Sequence, residues 1–508
     1  MTSISHLVVC VLGAWGHVRP MLAFLARVVK VDHSGTITLI TAKALMGRIH
    51  KEWGRHFEEN ELHLRDSIRF RMLEKSEVFR PEDIRAQLGP VYQAILDESG
   101  VPHPTAFLTE AISPTTPQLI REVSRKPITF MVWCPTSMNL IYNILEKVEK
   151  MDEFLESLDS LAKNKGITFG EAANEMVTSS ASISAKPTIM PDLPPMSGYE
   201  LFPQEPPFLI AFGEFFVGCM RVLAICDVVV TASSYVVEPK GCDGVASMLA
   251  KRGAKFFAIG PLSPPAPDDQ TEKWGELAQS DAAEELDGFL DAVRARRGDK
   301  SLLYISYGSL FGPTEPAKFY AWLDVILDMD IPVILVLPPG GPLPETLEAR
   351  FNASDVSLVC KWAPQQYILA HPATGAFLTH NGSNGTHESL CEGVPMISWP
   401  FSSDQPIFAM IVSQVLRVGY ELNEVRRGHG LEYRLSKGTK PTGTIEAIQM
   451  EARDILTKLF FNAGERAALD SRLADIKGVL NASWDFGNGQ QGRARADMER
   501  FVDTYLAA

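Results

Sequence analysis

No stretch of this 508-residue sequence approaches the roughly 20 uninterrupted apolar residues that a membrane-spanning helix requires, so none is expected. The apolar run at residues 7–12 has no basic segment before it and no small-residue cleavage site after it. It reads as a buried strand rather than a signal peptide. Positive charge is in deficit, with 48 Lys and Arg against 62 Asp and Glu and a formal net charge of −14. That balance argues against a nucleic-acid or anionic-membrane surface. Cysteine is scarce: seven, an odd number, with no CxxC pair. The pattern excludes a disulfide or zinc framework and points to reduced thiols in a cytoplasmic setting. Short-period repeats and low-complexity tracts are missing. So is the GxGxxG fingerprint, which disfavours a nicotinamide-dependent oxidoreductase. What remains is 45% apolar and 22% charged residues, the composition of a soluble globular protein long enough for two domains.

Residues 6–12 form a short continuous apolar run, as in a strand covered on both faces. A turn with Gly13 and Gly16 follows, and residues 21–28 take up helical periodicity. Strand, glycine turn and helix open a doubly wound α/β domain, whose sites lie at the carboxyl ends of its strands. His17 sits at such an end. Further strands are expected at 36–41, 106–110 and 127–133, with a helix running to Ser124, charged helical segments over 146–183, and proline-rich surface loops at 191–196 and 203–207. The stretch 263–270 is a linker by composition. A second strand–glycine turn–helix begins at 301–310, and buried strands are expected at 332–337 and 356–360. Asp328-Met329-Asp330 has the form of a metal-binding Asp-x-Asp, but it closes a helix before a strand and reads as a solvated helix end. No metal is expected.

Residues 362–405 are two short apolar segments, each broken by small and polar residues. The cluster at 380–386 carries Gly382, Asn384 and Gly385 and leads into a helical run. Small residues opening a helix leave backbone N–H groups aimed at an anion, with the helix dipole behind them. His380 adds a donor that can become cationic. Trp362 offers an aromatic face for a base, Glu388 two acceptors for ribose hydroxyls, and Asp404 and Gln405 donors and acceptors for a sugar.

This stretch resembles, without a gap, the signature box of the plant-type UDP-dependent glycosyltransferases (family 1, inverting). The resemblance implies that Trp362 stacks on uracil, that the Ala363 backbone and Gln365 hold the nucleoside, and that Glu388 takes the ribose diol. His380, Gly382, Ser383, Asn384 and the loop through Gly385 would hold the diphosphate, with Ser309 beside it, and Asp404 and Gln405 would hold the sugar. The box departs from the plant pattern at Asn381, Ser383 and Gly385, where the family has Cys, Trp and Ser, which suggests a divergent, fungal or bacterial member. The run 16–20, Gly-His-Val-Arg-Pro, resembles the family's catalytic turn, so His17 is the candidate general base. Glu110 stands where the family has the aspartate that orients this histidine.

The resemblance further implies two Rossmann-like doubly wound domains facing across a cleft, the GT-B arrangement. Residues 1–262 would bind the acceptor, 263–285 would link, 286–478 would bind the UDP-sugar, and 479–508 would return to the first domain. The implied reaction moves a sugar, glucose by the presence of Gln405, from UDP to a hydroxyl of a small acceptor with inversion and without a metal. Trp15, Phe107, Trp133 and Met138 suggest an apolar or aromatic acceptor, and the protein is expected to be a monomer or weak dimer. The alternative is a nucleotide-sugar-binding protein without transferase activity, which gains weight if Glu110 cannot reach His17.

Overall fold

The computed structural model describes residues 5–31, 35–74, 81–111, 116–178, 187–204, 209–262, 277, 283–308, 311–338, 343–484 and 492–506. Most of the expected linker and Ser309 therefore lie outside the described residues. The chain divides into two compact units. Met1–Thr178, Ile210–Pro264 and Ala482–Ala508 make the first, and Ser179–Leu209 with Pro265–Asn481 make the second.

In the first unit the strands β1 (His6–Cys10), β2 (Thr36–Ala42), β3 (Ile68–Leu73), β4 (Ala106–Glu110), β5 (Thr129–Cys134), β6 (Val228–Thr231) and β7 (Lys255–Ala258) form a parallel sheet in the order β3-β2-β1-β4-β5-β6-β7. Successive side chains of a strand face opposite sides, so a strand covered by helices on both faces is apolar over most of its length. In β1, Leu7 and Val9 pack into one core with Leu22 and Phe24, while Val8 and Cys10 pack into the other with Leu88 and Ile144. Strand order reverses at β1, between β2 and β4, which puts a crevice at the carboxyl ends of β1 and β4. The last helix, Arg493–Tyr505, buries Met498, Phe501 and Val502 in the first of these cores. Its Asp497 accepts a hydrogen bond from the Ala258 N–H of β7 at 2.9 Å.

The second unit repeats the plan. Strands β8 (Leu302–Ser306), β9 (Val333–Val336), β10 (Ser357–Cys360), β11 (Thr374–Thr379), β12 (Met396–Ser398) and β13 (Gly419–Glu421) lie parallel in the order β10-β9-β8-β11-β12-β13. Here the order reverses at β8, and the crevice lies at the ends of β8 and β11. Asp328 accepts from Arg350 at 2.9 Å and Arg453 at 3.0 Å, and Asp330 pairs with Arg297. Both carboxylates of the Asp-x-Asp triplet are thus partners in surface ion pairs.

Residues 187–204 belong to this unit although both chain flanks belong to the other. Their proline content suggested a surface path, yet Met196, Glu200 and Gln204 are buried. The charge of Glu200 is compensated there: Arg434 Nε donates to it at 3.3 Å, and the Ser436 N–H at 3.1 Å. Arg434 Nη2 also donates to both oxygens of Glu421, at 2.8 and 2.9 Å, and Arg426 Nη2 to one at 2.6 Å. A carboxylate buried without such partners would cost several kcal/mol.

Candidate active site

The helix Trp15–Val31 starts at the switch point of the first unit, and His17 lies in its first turn. Glu110 is the last residue of β4, one place beyond Thr109, which pairs with Cys10. This register brings the carboxylate to the histidine: His17 Nδ1 and Glu110 Oε1 are 2.7 Å apart. The second oxygen, Oε2, accepts the backbone N–H of Leu12 at 3.3 Å. Glu110 is 4% exposed and the His17 side chain 28%, so the carboxylate is interior and the imidazole reaches the surface. The additional methylene of glutamate is thus accommodated. An ionised carboxylate can only accept, so Nδ1 carries the proton and Nε2 is the basic nitrogen. The Leu12 N–H was not anticipated; no side chain marks it.

Of the four residues suggested for an acceptor pocket, Phe107, Trp133 and Met138 are core. They are at most 1% exposed, and Phe107 stacks on Phe130 and Trp133 on Phe24. The sheet uses both its faces, so aromatic residues in its strands are consumed by helix packing. Trp15 alone is half-buried, with the Arg48 guanidinium 4.0 Å above its ring.

In the second unit the box falls on defined elements. Trp362 follows β10 and is 40% exposed, while Ala363 is buried. Gln365 and Gln366 open the helix Gln365–Ala370 and both donate to Glu388, which is 5% exposed on the helix Ser383–Glu392. Gln365 Nε2 lies 2.5 Å from Oε2, and Gln366 Nε2 3.2 Å from Oε1. Gln366 had not been singled out, because the second of two adjacent glutamines reads as a solvated polar residue.

His380 follows β11, and Gly382, Ser383, Asn384 and Gly385 run from the N-cap into the first turn of the next helix. The first N–H groups of a helix have no intrahelical acceptor, so this turn presents donors and the positive end of the dipole. The His380 ring lies against Phe311, with centroids 6.0 Å apart, and Phe311 against Phe401. Two glycines make room for it. A Cβ at Gly382 would sit 2.5 Å from Nε2, and one at Gly308, whose φ is +73°, 2.9 Å from Cε1. Burial pushes the His380 pKa down to about 4. Taking the charge out of water disfavours the cationic form, so this ring is held neutral near pH 7. Its Nδ1 is buried with no hydrogen-bond partner among the described residues.

Asp404 stands at the N-cap position of the helix Gln405–Met410, and Gln405 is 3% exposed. Gln405 Oε1 accepts the N–H of Phe401 at 2.8 Å and of Ser402 at 3.3 Å. The turn thus consumes the acceptor end of this amide, and Nε2 is the end that can address a sugar. Gly385 leaves space: a Cβ there would meet Gln365 Nε2 at 3.4 Å, an ordinary contact.

None of the seven cysteines forms a disulfide, and burial pushes the thiols of Cys10, Cys219 and Cys226 up to about 12. No described helix is long and apolar enough to cross a membrane. Among the described residues no group of three or more His, Cys, Asp or Glu is placed to hold a metal ion.

The family model "UDP-glucoronosyl and UDP-glucosyl transferase" matches residues 275–422. UDP-glycosyltransferase eriJ of Hericium erinaceus is 35% identical over 513 aligned residues, covering 98% of each chain. DIMBOA UDP-glucosyltransferase BX9 of Zea mays is 29% identical over 47% of this chain and 51% of its own. A UDP-glucosyltransferase of Polygonum tinctorium, described as capable of glucosylating indoxyl, superposes with a TM-score of 0.70 at 18% identity, covering all of both chains. TcCGT1 in complex with UDP superposes with a TM-score of 0.71 at 18% identity over 99% of each. With both sheets doubly wound and a relative matched from end to end, this chain belongs to the UDP-glucuronosyl and UDP-glucosyl transferase family and is a UDP-dependent glycosyltransferase of the two-Rossmann-domain GT-B fold.

Proposed function

We propose that the protein transfers glucose from UDP-glucose to a hydroxyl group of a small, largely apolar or aromatic acceptor, with inversion at the anomeric carbon. The observation that carries this reading is the 2.7 Å contact between His17 Nδ1 and the buried carboxylate of Glu110. Nε2 removes the acceptor's hydroxyl proton as the oxygen forms its bond to the anomeric carbon. The bond from that carbon to the diphosphate breaks on the opposite face, and UDP departs with the electron pair. Glu110 stabilises the imidazolium that forms.

In the second unit, Trp362 offers its face to uracil, Ala363 and Gln365 hold the nucleoside, and Glu388 holds the ribose. The first N–H groups of the helix Ser383–Glu392, with Ser383, Asn384, neutral His380 and Ser309, take the diphosphate. Stabilising the leaving charge with fixed N–H dipoles requires no reorganisation during the reaction. Asp404 and the Nε2 of Gln405 address the sugar. DIMBOA and indoxyl, named for two of the related proteins, support a small aromatic acceptor.

The test is a panel of phenolic and terpenoid alcohols offered with UDP-glucose and UDP-galactose, read by mass spectrometry, with the anomeric configuration of the product read by proton NMR. Glucosides of inverted configuration are expected. Retention would overturn the single-displacement chemistry. A preference above about tenfold, or ~1.4 kcal/mol, for another UDP-sugar would overturn the glucose assignment.

A further inference from the structure

We infer that Gln366 is a positioning residue for the ribose carboxylate, setting how strongly the protein distinguishes a ribonucleoside diphosphate from its 2′-deoxy counterpart. The inference rests on the reading of Glu388 as the ribose partner. Gln365 and Gln366 occupy consecutive helix positions, which diverge by about 100° around the axis, yet both amides reach Glu388. They hold different oxygens: Gln365 Nε2 lies 2.5 Å from Oε2 and Gln366 Nε2 3.2 Å from Oε1.

One donor would leave the carboxylate able to turn about its terminal bond, whereas donors on both oxygens fix its plane. Hydrogen bonds to an ionised acceptor are among the stronger ones, so the orientation is firmly set before any ligand arrives. A vicinal diol presents two donors at a fixed spacing, and a carboxylate fixed in plane is a pre-organised match for both. A 2′-deoxyribose presents only one and gains little from that alignment. Outer partners that orient a ligating group in this way have measurable effects on affinity without touching the ligand.

The test measures dissociation constants of UDP and 2′-deoxy-UDP by titration calorimetry on the full chain, together with kcat and KM for UDP-glucose. Gln366→Leu removes the donor at similar volume, and Gln366→Asn retains an amide too short to reach. Both are expected to weaken UDP by roughly fivefold to thirtyfold, through the lost alignment of the carboxylate rather than a lost contact to the ligand. Binding of 2′-deoxy-UDP should change by less than about threefold, so the ratio of the two constants falls. KM should rise with kcat nearly constant. Equal weakening of both nucleotides in both variants would make Gln366 merely structural and overturn the inference. Glu388→Gln, measured in parallel, separates the two levels. If it collapses the ratio and the Gln366 variants do not, the inference fails alone. If it leaves the ratio unchanged, the assignment of Glu388 to ribose fails with it.

Discussion

Replacing Glu110 by glutamine gives a sharp test of the proposed base, because the carboxylate there performs two accepting tasks and an amide can perform one. In the native protein Oε1 accepts a hydrogen bond from His17 Nδ1–H at 2.7 Å and Oε2 one from the Leu12 N–H at 3.3 Å. A glutamine must turn its carbonyl toward one of them and its NH2 toward the other. Facing the NH2 toward Leu12 would set two donors against each other in the interior, and a buried unsatisfied N–H costs about 1–3 kcal/mol. Imidazole avoids this by moving its proton, so the amide is expected to keep Leu12 satisfied and donate to His17 Nδ1. That choice puts the ring proton on Nε2, the nitrogen that must accept the acceptor's proton. Turnover should then fall by about 10²- to 10⁴-fold, the span of a lost general base, with UDP affinity and thermal stability close to wild type. Glu110→Asp should also be impaired. One methylene less lengthens the contact to about 4 Å, beyond hydrogen-bond range, and β4 is held in register by β1 and β5 and cannot advance. The assay is UDP release under saturating donor, with UDP titration and a melting curve as controls and His17→Ala as the inactive reference. A Glu110→Gln enzyme within about threefold of wild type, beside an inactive His17→Ala, would refute the reasoning and leave the histidine working alone or with another carboxylate.

Three further outcomes are expected. Chelator should leave the rate nearly unchanged, since the diphosphate is assigned to N–H groups and His380; abolition by chelator with rescue by manganese would overturn that assignment. Gly385→Ser should fold, because its Cβ finds ordinary contacts, and should bind UDP at least as tightly while melting slightly higher, serine being about 0.5 kcal/mol the better helix former; loss of UDP binding would show that the cradle needs the bare backbone. His380, with its folded pKa near 4 against 6.5 unfolded, binds fewer protons folded than unfolded between those values, so its contribution is present above pH 6.5 and lost as pH falls toward 4. Relative to His380→Leu, wild type should lose on the order of 2 kcal/mol over that window, discounted because part of the residue touches solvent; a pH-independent difference in melting would contradict it.

Much of this architecture is legible in the order of residues because it depends on local patterning. The run 6–12 announces β1, and 106–110 matches β4 residue for residue, since a strand buried on both faces is built mainly of apolar residues. The contact of His17 with Glu110 follows from topology: two parallel neighbours at a switch point must bring their carboxyl ends together. What escaped depends on partners far along the chain. Nothing near His380 signals that its ring is buried, because Phe311, which lies against it, and Phe401, which backs Phe311, come from other elements. Glu200, in a proline-rich stretch, has its compensating Arg434 more than two hundred positions away. Phe107 and Trp133 look the same in sequence whether they wall a pocket or fill a core, and here they fill it.

The chain path through the two units also constrains how the protein can be made. Residues 179–209 emerge from the ribosome early, flanked by parts of the first unit, but Arg434 and Ser436, which compensate Glu200, are synthesised more than two hundred residues later. At about 5–20 residues per second this segment waits on the order of ten seconds or more, carrying a carboxylate destined for the interior. The first unit waits longer still: the helix that covers β7, Arg493–Tyr505, is translated after nearly all of the second unit. Neither half can be completed before the other is well advanced, so expressing residues 1–264 and 265–508 as separate fragments should give two unstable products. Each would expose the surface its missing segment was meant to cover.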